Sequence, residues 1–415
     1  MEGAVVGPGP EPTRFVALDV HKQYVMVGAV DARQEVVVPP RRVALVEFPE
    51  WARDHLTPAD AVVLEATANA WSLYDCLTSL VATVTVAHAG VIKLIAHARV
   101  KTDRRDTLHL ARLLAARLLA ARMIPAVWVP PVEVRELRGL ITHRRRLVAQ
   151  RVQAGNRLQA VLHRHRIVPP VGTLFSRQNR AWWADLPVST SERLRVRQDL
   201  AVVETLDALV VEVEAELGRL STTTPWADQV PYLVQLSGLG VLAAMTVLAA
   251  IGDITRFPTP KHVVGYAGLG AGVHDSGQTH QGGRITKQGR RELRGAMVEA
   301  AWVAVAHHPH WKEQFARLSA RLGAQKAIVA IARKLLVVVW HLLTKREADR
   351  AGNPEAIARK LYTWVSRCGT TPGRQRPLGA LVRRELDRLG IGAELTVTGY
   401  GRCPLPPPGV TAHAG

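Results

Sequence analysis

The stretch FVALDVHKQYVMVGAVDARQEVVVPP, residues 15–40, decides the fold of the first part of this chain. Its opening run, Phe15 to Val20, is apolar and largely β-branched with an acid, Asp19, near its end, which is the mark of a buried strand. Tyr24 to Asp31 and the EVVVPP run from Glu35 have the length and composition of consecutive hairpin strands. A helix is expected around Val46 to His55, and AVVLEA (Ala61 to Ala66) then repeats the plan of an apolar strand finishing on an acid, here Glu65. A helix from Trp71 to Leu80 and a strand from Val84 to Ala89 follow, and this alternation implies an α/β unit with central parallel strands. VKTDRRDTLHLARLLAARLL next opens an amphipathic helix, with Asp103 and Asp106 three residues apart on one face near its positive end.

Asp19, Glu65, Asp103 and Asp106 thus occupy strand ends and a helix start, positions from which side chains can converge on one crevice. Hard oxygen ligands are what magnesium requires, and two such ions can activate the attacking oxygen and stabilise the leaving oxygen of a phosphodiester. Carboxylates at strand ends and helix starts are also common caps, so the pattern leaves both uses open.

A second chemical stretch is HDSGQTHQGGRITKQGRRELRGAMVEAAW, residues 274–302. It sets one hydroxyl, Ser276, just ahead of Arg284, Lys287, Arg290, Arg291 and Arg294, while Gly277, Gly282, Gly283 and Gly289 permit a loop whose backbone can approach a phosphate closely. Taken alone, the Ser-Gly pair reads either as a nucleophile or as a turn with a helix cap.

The acid order D…E…D-x-x-D, carried by FVALDVHK, VVLEAT and VKTDRRD, resembles the RuvC-like (RNase H fold) domain of the IS110 family of DEDD transposases. LSGLGVLAAMTVLAAIGDITRF, VVGYAGLG and the Ser276 stretch are similar to that family's C-terminal transposase domain, so the resemblance spans about Arg14 to Thr344. It implies an α/β RNase H-like (RuvC-like) N-terminal domain, a helical coiled-coil-like linker and a mostly α-helical C-terminal transposase domain. The corresponding division is a flexible lead at 1–13, the DEDD domain at 14–131, the helical linker at 132–225, the transposase domain at 226–345 and a basic, Pro-rich extension at 346–415.

By the same resemblance, Asp19, Glu65, Asp103 and Asp106 bind Mg2+ and Ser276 is the nucleophile on the DNA backbone. The family also implies donor and target DNA, a structured noncoding guide RNA (the bridge RNA) and a homodimer or homotetramer as partners. Three departures from the usual pattern stand out: Ala68 in place of the glycine after the E-x-T motif, Asp275-Ser276 in place of paired serines, and Thr286-Lys287 in place of Ser-Lys. Two other classes fit parts of the pattern. A Holliday-junction resolvase would use the acids with metal-activated water, and a nucleic-acid scaffold would use the acids only as caps.

Between the two halves, Val132 to Ile167 reads as one long helix punctuated by Gly139 and Gly155, with nine arginines against Glu133 and Glu136. Apolar residues recur at three and four, giving a packing seam, and Arg144, Arg145, Arg146 and Arg151 form a face that either tracks phosphates or is merely solvated. A second helix, Ser191 to Leu220, is expected to complete an antiparallel hairpin that joins subunits; Trp182 and Trp183 in the connection suit core packing or base stacking. From Pro231 the sequence reads helix, Gly-x-Gly turn, helix, which serves either backbone-phosphate contact or tight packing. Another apolar helix, Ala324 to Leu343, is expected to close the core. Beyond Lys345, a short helix at Leu378 to Leu389 and an extended or disordered PLPPPGVTAHAG terminus are expected.

The bulk properties agree with this reading. A formal charge of +19, from 54 basic and 35 acidic residues in a chain of 415, calls for an anionic partner, most simply nucleic acid. The sequence contains no uninterrupted apolar run of about 18 residues, so no membrane partner is expected. Cys76, Cys368 and Cys403 are too few and too scattered for a disulfide framework or a cysteine zinc site, which fits a cytoplasmic, nucleoid-associated location. His307, His308 and His310 flank Pro309 and read as a helix end.

Overall fold

The computed structural model describes residues 11–67, 69–88, 102–116, 126–276, 279–368, 377–399 and 401–409, with backbone alone at 273–276 and 279–282. The chain divides into two compact units, Met1–Pro130 and Pro131–Gly415.

The first unit is built on a five-stranded sheet of order β3-β2-β1-β4-β5, comprising β1 (Arg14–Val20), β2 (Tyr24–Asp31), β3 (Val36–Ala44), β4 (Asp60–Glu65) and β5 (Thr83–Ala87). The first three strands are antiparallel neighbours, whereas β1, β4 and β5 run parallel. β3 is longer than the EVVVPP reading suggests and passes straight through Pro39 and Pro40. It lies at the sheet edge, where a missing N–H costs no interior ladder bond.

Period-two alternation divides the core between the two faces of this sheet. Val16, Leu18, Val62, Leu64 and Val86 point to one face, which is covered by α1 (Phe48–His55) and α2 (Ala70–Leu77). Phe15, Ala17, Ala61, Val63 and Ala87 point to the other, covered by Leu110, Ala111, Leu113 and Leu114 of α3 (Asp103–Ala115). The sheet's far end is fixed by Asp60, 1% exposed, which accepts from Arg14 Nε at 2.6 Å and from the Thr57 backbone N–H at 2.7 Å.

The second unit is mostly helical. α4 (Val132–His165) and α6 (Thr190–Leu220) form an antiparallel hairpin with α5 (Arg180–Ala184) in the connection. Four ion pairs run along it: Arg144–Glu214 at 2.5 Å, Arg151–Asp207 at 2.7 Å, Arg157–Asp199 at 2.6 Å and Arg164–Glu192 at 2.6 Å. Trp183 is buried under the hairpin, donating from Nε1 to the Leu174 carbonyl at 3.0 Å.

The helix–turn–helix expected from Pro231 is α7 (Val230–Val234) and α8 (Val241–Ile251). In its turn Gly238 has φ +88°, and a Cβ there would lie 2.1 Å from the Ala300 carbonyl oxygen, so this glycine serves close packing on α10 (Arg291–His307). α9 (Pro260–Tyr266) leads into a two-stranded hairpin of β6 (Ala271–Ser276) and β7 (Thr279–Ile285), then α10 and α11 (Pro309–Leu322). α12 (Ala324–Lys345) has the length and hydropathy of a membrane span. It buries Ala327, Ile328, Ile331, Leu335, Val339 and Leu342 inside the unit at helical spacing, as a core helix does.

The C-terminal extension differs from the sequence expectation. An unanticipated helix, α13 (Pro354–Cys368), buries Ile357, Leu361, Trp364 and Val365, and α14 (Leu378–Leu389) packs against it. The proline segment is extended as expected but is held in place through residue 409. Buried Arg383 donates to the carbonyls of Pro406 at 2.8 Å and Gly392 at 2.7 Å, and to that of Leu395.

Candidate active site

Register places the first carboxylates. Leu18 pairs with Leu64 across parallel β1 and β4, so Asp19 and Glu65 are the next residues on neighbouring strands. By alternation both continue the Phe15/Ala17 and Ala61/Val63 rows, on the face that α3 covers.

α3 approaches that face closely because Gly28 of β2 has no side chain; a Cβ there would stand 3.2 Å from Thr107 Cγ2. Thr102 caps the helix by accepting from the Arg105 N–H, which sets Asp103 at the first helical position and Asp106 one turn on.

Asp19 Oδ2 and His21 Nε2 are 3.2 Å apart, and the same nitrogen is 3.6 Å from Asp103 Oδ2. One ligand atom from each of Asp19, His21 and Asp103 falls within 4.8 Å of the others, the one such group of three among the described residues. Tyr24 donates from its hydroxyl to Asp103 Oδ2 at 2.9 Å, while its ring stacks on His21 with centroids 4.4 Å apart. The Arg42 guanidinium lies 4.5 Å from the centroid of that tyrosine ring and 4.0 Å from Asp103 Oδ2.

Burial pushes the Asp19 carboxyl above its ordinary range; His21 pulls it back, and the negative charges of Asp103 and Asp106 raise it further. Three of the four sequence-identified acids therefore act on one field, with Glu65 at the adjoining strand position. Two carboxylates and an imidazole within reach of one point are a donor set that fits a divalent cation, the oxygens suiting Mg2+ and the nitrogen a softer ion such as Mn2+ or Zn2+. Beside them, Asp103 lines an open concavity of about 640 Å³ whose rim carries Arg41, Arg42 and Arg104.

Sequence reasoning missed His21, Tyr24 and Arg42. For His21 the signal was its place two residues after Asp19, the spacing that returns a chain to the same face of an extended run.

In the second unit, Ser276 ends β6, and its Cα pairs with that of Thr279 as the last pair before the hairpin tip. Gly282 and Gly283, expected in a loop, thus lie within strand β7. The Ser276 side chain and Gly277 lie outside the described residues.

The basic residues separate into two groups. Arg284, Lys287 and Arg291 are exposed near the hairpin, and Arg146 is exposed on α4. Arg144 and Arg151 instead bind Glu214 and Asp207, Arg145 binds Glu292, and Arg294 donates to the carbonyls of Ala267 at 2.9 Å and Lys287 at 3.2 Å. In those four the physical cause is local: an acid or a backbone carbonyl lies within reach. Arg290 donates from Nε to the Tyr266 hydroxyl at 3.0 Å.

A sheet with acids gathered at its strand ends and a helical unit rich in arginine are features common among proteins that act on nucleic acid. Comparison with known families narrows this. The family model described as "Transposase IS116/IS110/IS902 family" matches residues 230–316, and the IS110 DEDD transposase model matches residues 16–167. The chain is 26% identical over 234 residues to the transposase for insertion sequence element IS1111A of Coxiella burnetii, covering 53% of this chain and 62% of that protein. It is 28% identical to the putative transposase y4qE of Sinorhizobium fredii, covering 72% and 73% respectively. A pilin gene-inverting protein of Moraxella bovis is 29% identical over 32% of this chain and 43% of its own length. The chain belongs to the IS110 family of transposases.

Proposed function

We propose that this protein is a DNA recombinase that cuts and rejoins strands through Ser276 as nucleophile, with Asp19, Glu65, Asp103 and Asp106 holding divalent metal, preferentially Mg2+. The observation that carries the reading is the convergence of Asp19, His21 and Asp103 within 4.8 Å, inside the segment that the DEDD model matches. The strand order, three antiparallel strands followed by two parallel ones with helices on both faces, supports assigning this unit to the RNase H-like class.

When bound, the metal supplies Lewis-acid polarisation of the scissile phosphate. Asp19 and Asp103 would hold it through their oxygens; His21 bridges the two carboxylates, and Tyr24 fixes Asp103 by hydrogen bonding. Arg41, Arg42 and Arg104 offer positive charge to the strand entering beside the acids. In the first step the Ser276 oxygen bonds to phosphorus as a strand hydroxyl leaves, taking up the proton that the serine gives up. In the second, a hydroxyl of the joining strand bonds to phosphorus as the bond to the serine oxygen breaks, and the serine regains the proton that this hydroxyl gives up.

Sequence choice is proposed to come from base pairing with a structured noncoding RNA, leaving the protein to supply backbone contacts and chemistry, as in other guided systems. The charge of +19 suits a chain that binds two polyanions. A homodimer or homotetramer and the five-segment domain division belong to the same proposal. The name of the pilin gene-inverting relative supports DNA rearrangement as the outcome.

The test is thermal unfolding of wild-type protein and Asp19→Asn with and without Mg2+. At free Mg2+ about tenfold above its Kd, wild type should gain roughly 1.4 kcal/mol. The Asp19→Asn variant should be at least as stable as wild type without metal, since burial disfavours this charge, and should gain nothing from Mg2+. Equal Mg2+ stabilisation of both proteins would remove Asp19 from the metal site.

A further inference from the structure

Three arginines from three separate elements meet at one tyrosine in the second unit. Arg138 comes from α4, Arg256 from the 3-10 turn Ile254–Arg256 and Arg290 from the residue that precedes α10. Arg290 Nε donates to the Tyr266 hydroxyl at 3.0 Å, and the Arg256 guanidinium lies 4.5 Å from the centre of the tyrosine ring. Arg138 donates to the carbonyls of Ala249 at 2.6 Å and Ala250 at 2.9 Å, and the Tyr266 hydroxyl to that of Ala250 at 3.2 Å. The end of α8 therefore gathers these groups, Arg256 donating from Nε to the Ile251 carbonyl at 3.0 Å, and all four side chains are half-buried.

The field at the gathering point is positive. Burial works to raise the Tyr266 phenol, but Arg290 and Arg256, with Arg138 behind them, carry it below its ordinary value. Burial, then the charges of Arg290 and Arg256, push Arg138 down to about 10, which leaves it cationic near neutrality. Planar guanidinium groups around a hydroxyl, half-dry and electropositive, match the geometry and charge of a phosphodiester oxygen pair.

The location gives the cluster a use. The Arg290 N–H donates to the Tyr266 carbonyl at 2.8 Å, Lys287 N–H to Gly268 O at 3.1 Å and Thr286 N–H to Gly270 O at 2.9 Å, so the cluster is tied to the foot of the β6–β7 hairpin. Ser276 stands at the tip of the same hairpin.

We propose that Tyr266, Arg138, Arg256 and Arg290 form a socket for one backbone phosphate of the DNA strand that Ser276 attacks. The proposal rests on the recombinase reading above. From Ala271 to Ser276 the β6 strand rises about 17 Å at ~3.4 Å per residue. That corresponds to about five base-pair steps of B-form DNA. The gripped phosphate is therefore a different one from the phosphate at the bond being cut, and Arg290 and Tyr266 are positioning residues.

The experiment measures affinity for a short DNA duplex as salt is raised from about 50 to 200 mM, for wild type, Arg290→Gln, Arg290→Lys and Tyr266→Phe, with thermal midpoints taken in parallel. Arg290→Gln should lower the slope of log affinity against log salt by about one, and Arg290→Lys should restore it. Tyr266→Phe should weaken binding about tenfold, because the Arg290 guanidinium loses the hydroxyl that accepts from it and holds it in place. An Arg290→Gln slope equal to that of wild type overturns the socket, as does a reduced slope that Arg290→Lys fails to restore. If wild type itself shows no salt-dependent DNA binding, the recombinase reading fails with it; if wild type binds and only the variants behave identically, the socket alone fails.

Discussion

Replacing Arg151 tests whether the arginines of α4 hold the hairpin together or wait for nucleic acid. Arg151 reaches Asp207 through two bonds, Nε to Oδ1 at 2.7 Å and a terminal nitrogen to Oδ2 at 3.3 Å, and its guanidinium sits 5.6 Å from the centre of the Phe175 ring. The side chains are 32% and 47% exposed, so solvent screening keeps the pair in the surface class, near the upper end of about 0.2–1 kcal/mol because the geometry is bidentate. The stacking over Phe175 adds roughly 0.5 kcal/mol to the loss on truncating the arginine but not to the coupling. In a double-mutant cycle of Arg151→Ala and Asp207→Ala, the coupling should be about 0.5–1 kcal/mol at low salt. It should fall below half of that near 1 M salt, where the screening length is about 3 Å. Arg151→Ala alone should lower the melting temperature by about 2–4 °C, more than Asp207→Ala does. It should also leave the salt slope of DNA binding nearly intact, whereas Arg146→Ala lowers it. Zero coupling at low salt, or equal slope losses for Arg151→Ala and Arg146→Ala, would refute the reasoning.

Two further outcomes follow from the packing of the second unit. Gly238→Ala places a methyl group 2.1 Å from the Ala300 carbonyl oxygen at a φ of +88°, so it should cost at least about 2–4 kcal/mol in chemical denaturation and loosen α10, with no other glycine of that turn as sensitive. Lys360, which donates to the carbonyls of Leu236 and, at 3.0 Å, Leu239, is pushed by burial down to about 8. Because the unfolded chain then binds more protons than the native one between about pH 8 and 10.5, stability should rise with pH across that window. Measured as the wild-type minus Lys360→Met difference in unfolding free energy, the rise should reach about 1–3 kcal/mol, and a difference that stays flat would contradict it.

What could be read in advance, and what could not, follows from the range of the interactions involved. β1 and β4 were legible because β-branched runs ending on Asp19 and Glu65 encode both strand and face, and parallel pairing then brings the acids side by side without further information. Asp103 and Asp106 were legible from their spacing at the start of an amphipathic run, while the Thr102 cap that sets them emerged only from the structure. His21 gave only its position after Asp19, and Tyr24 and Arg42 join the site through sheet pairing that no local pattern specifies. The arginine face of α4 was visible, but its partners depend on the register between two helices separated by a long connection, so Asp199, Asp207 and Glu214 were not foreseen as its counter-charges. β6 and β7 escaped because glycine and polar residues replace the alternation that marks a strand. α13 could have been found: Ile357, Leu361, Trp364 and Val365 recur at helical spacing after Pro354 and Glu355, and the composition of the surrounding tail obscured them.

The most direct test of the central claim is to incubate the protein with its DNA substrate and Mg2+, denature, and look for DNA that migrates attached to protein. Wild type should give a covalent adduct whose attachment maps to Ser276, and Ser276→Ala should give neither adduct nor cut strands while still binding DNA. Cleavage at the wild-type rate by Ser276→Ala, with no adduct from either protein, would contradict the account and assign the chemistry to the acids and water alone.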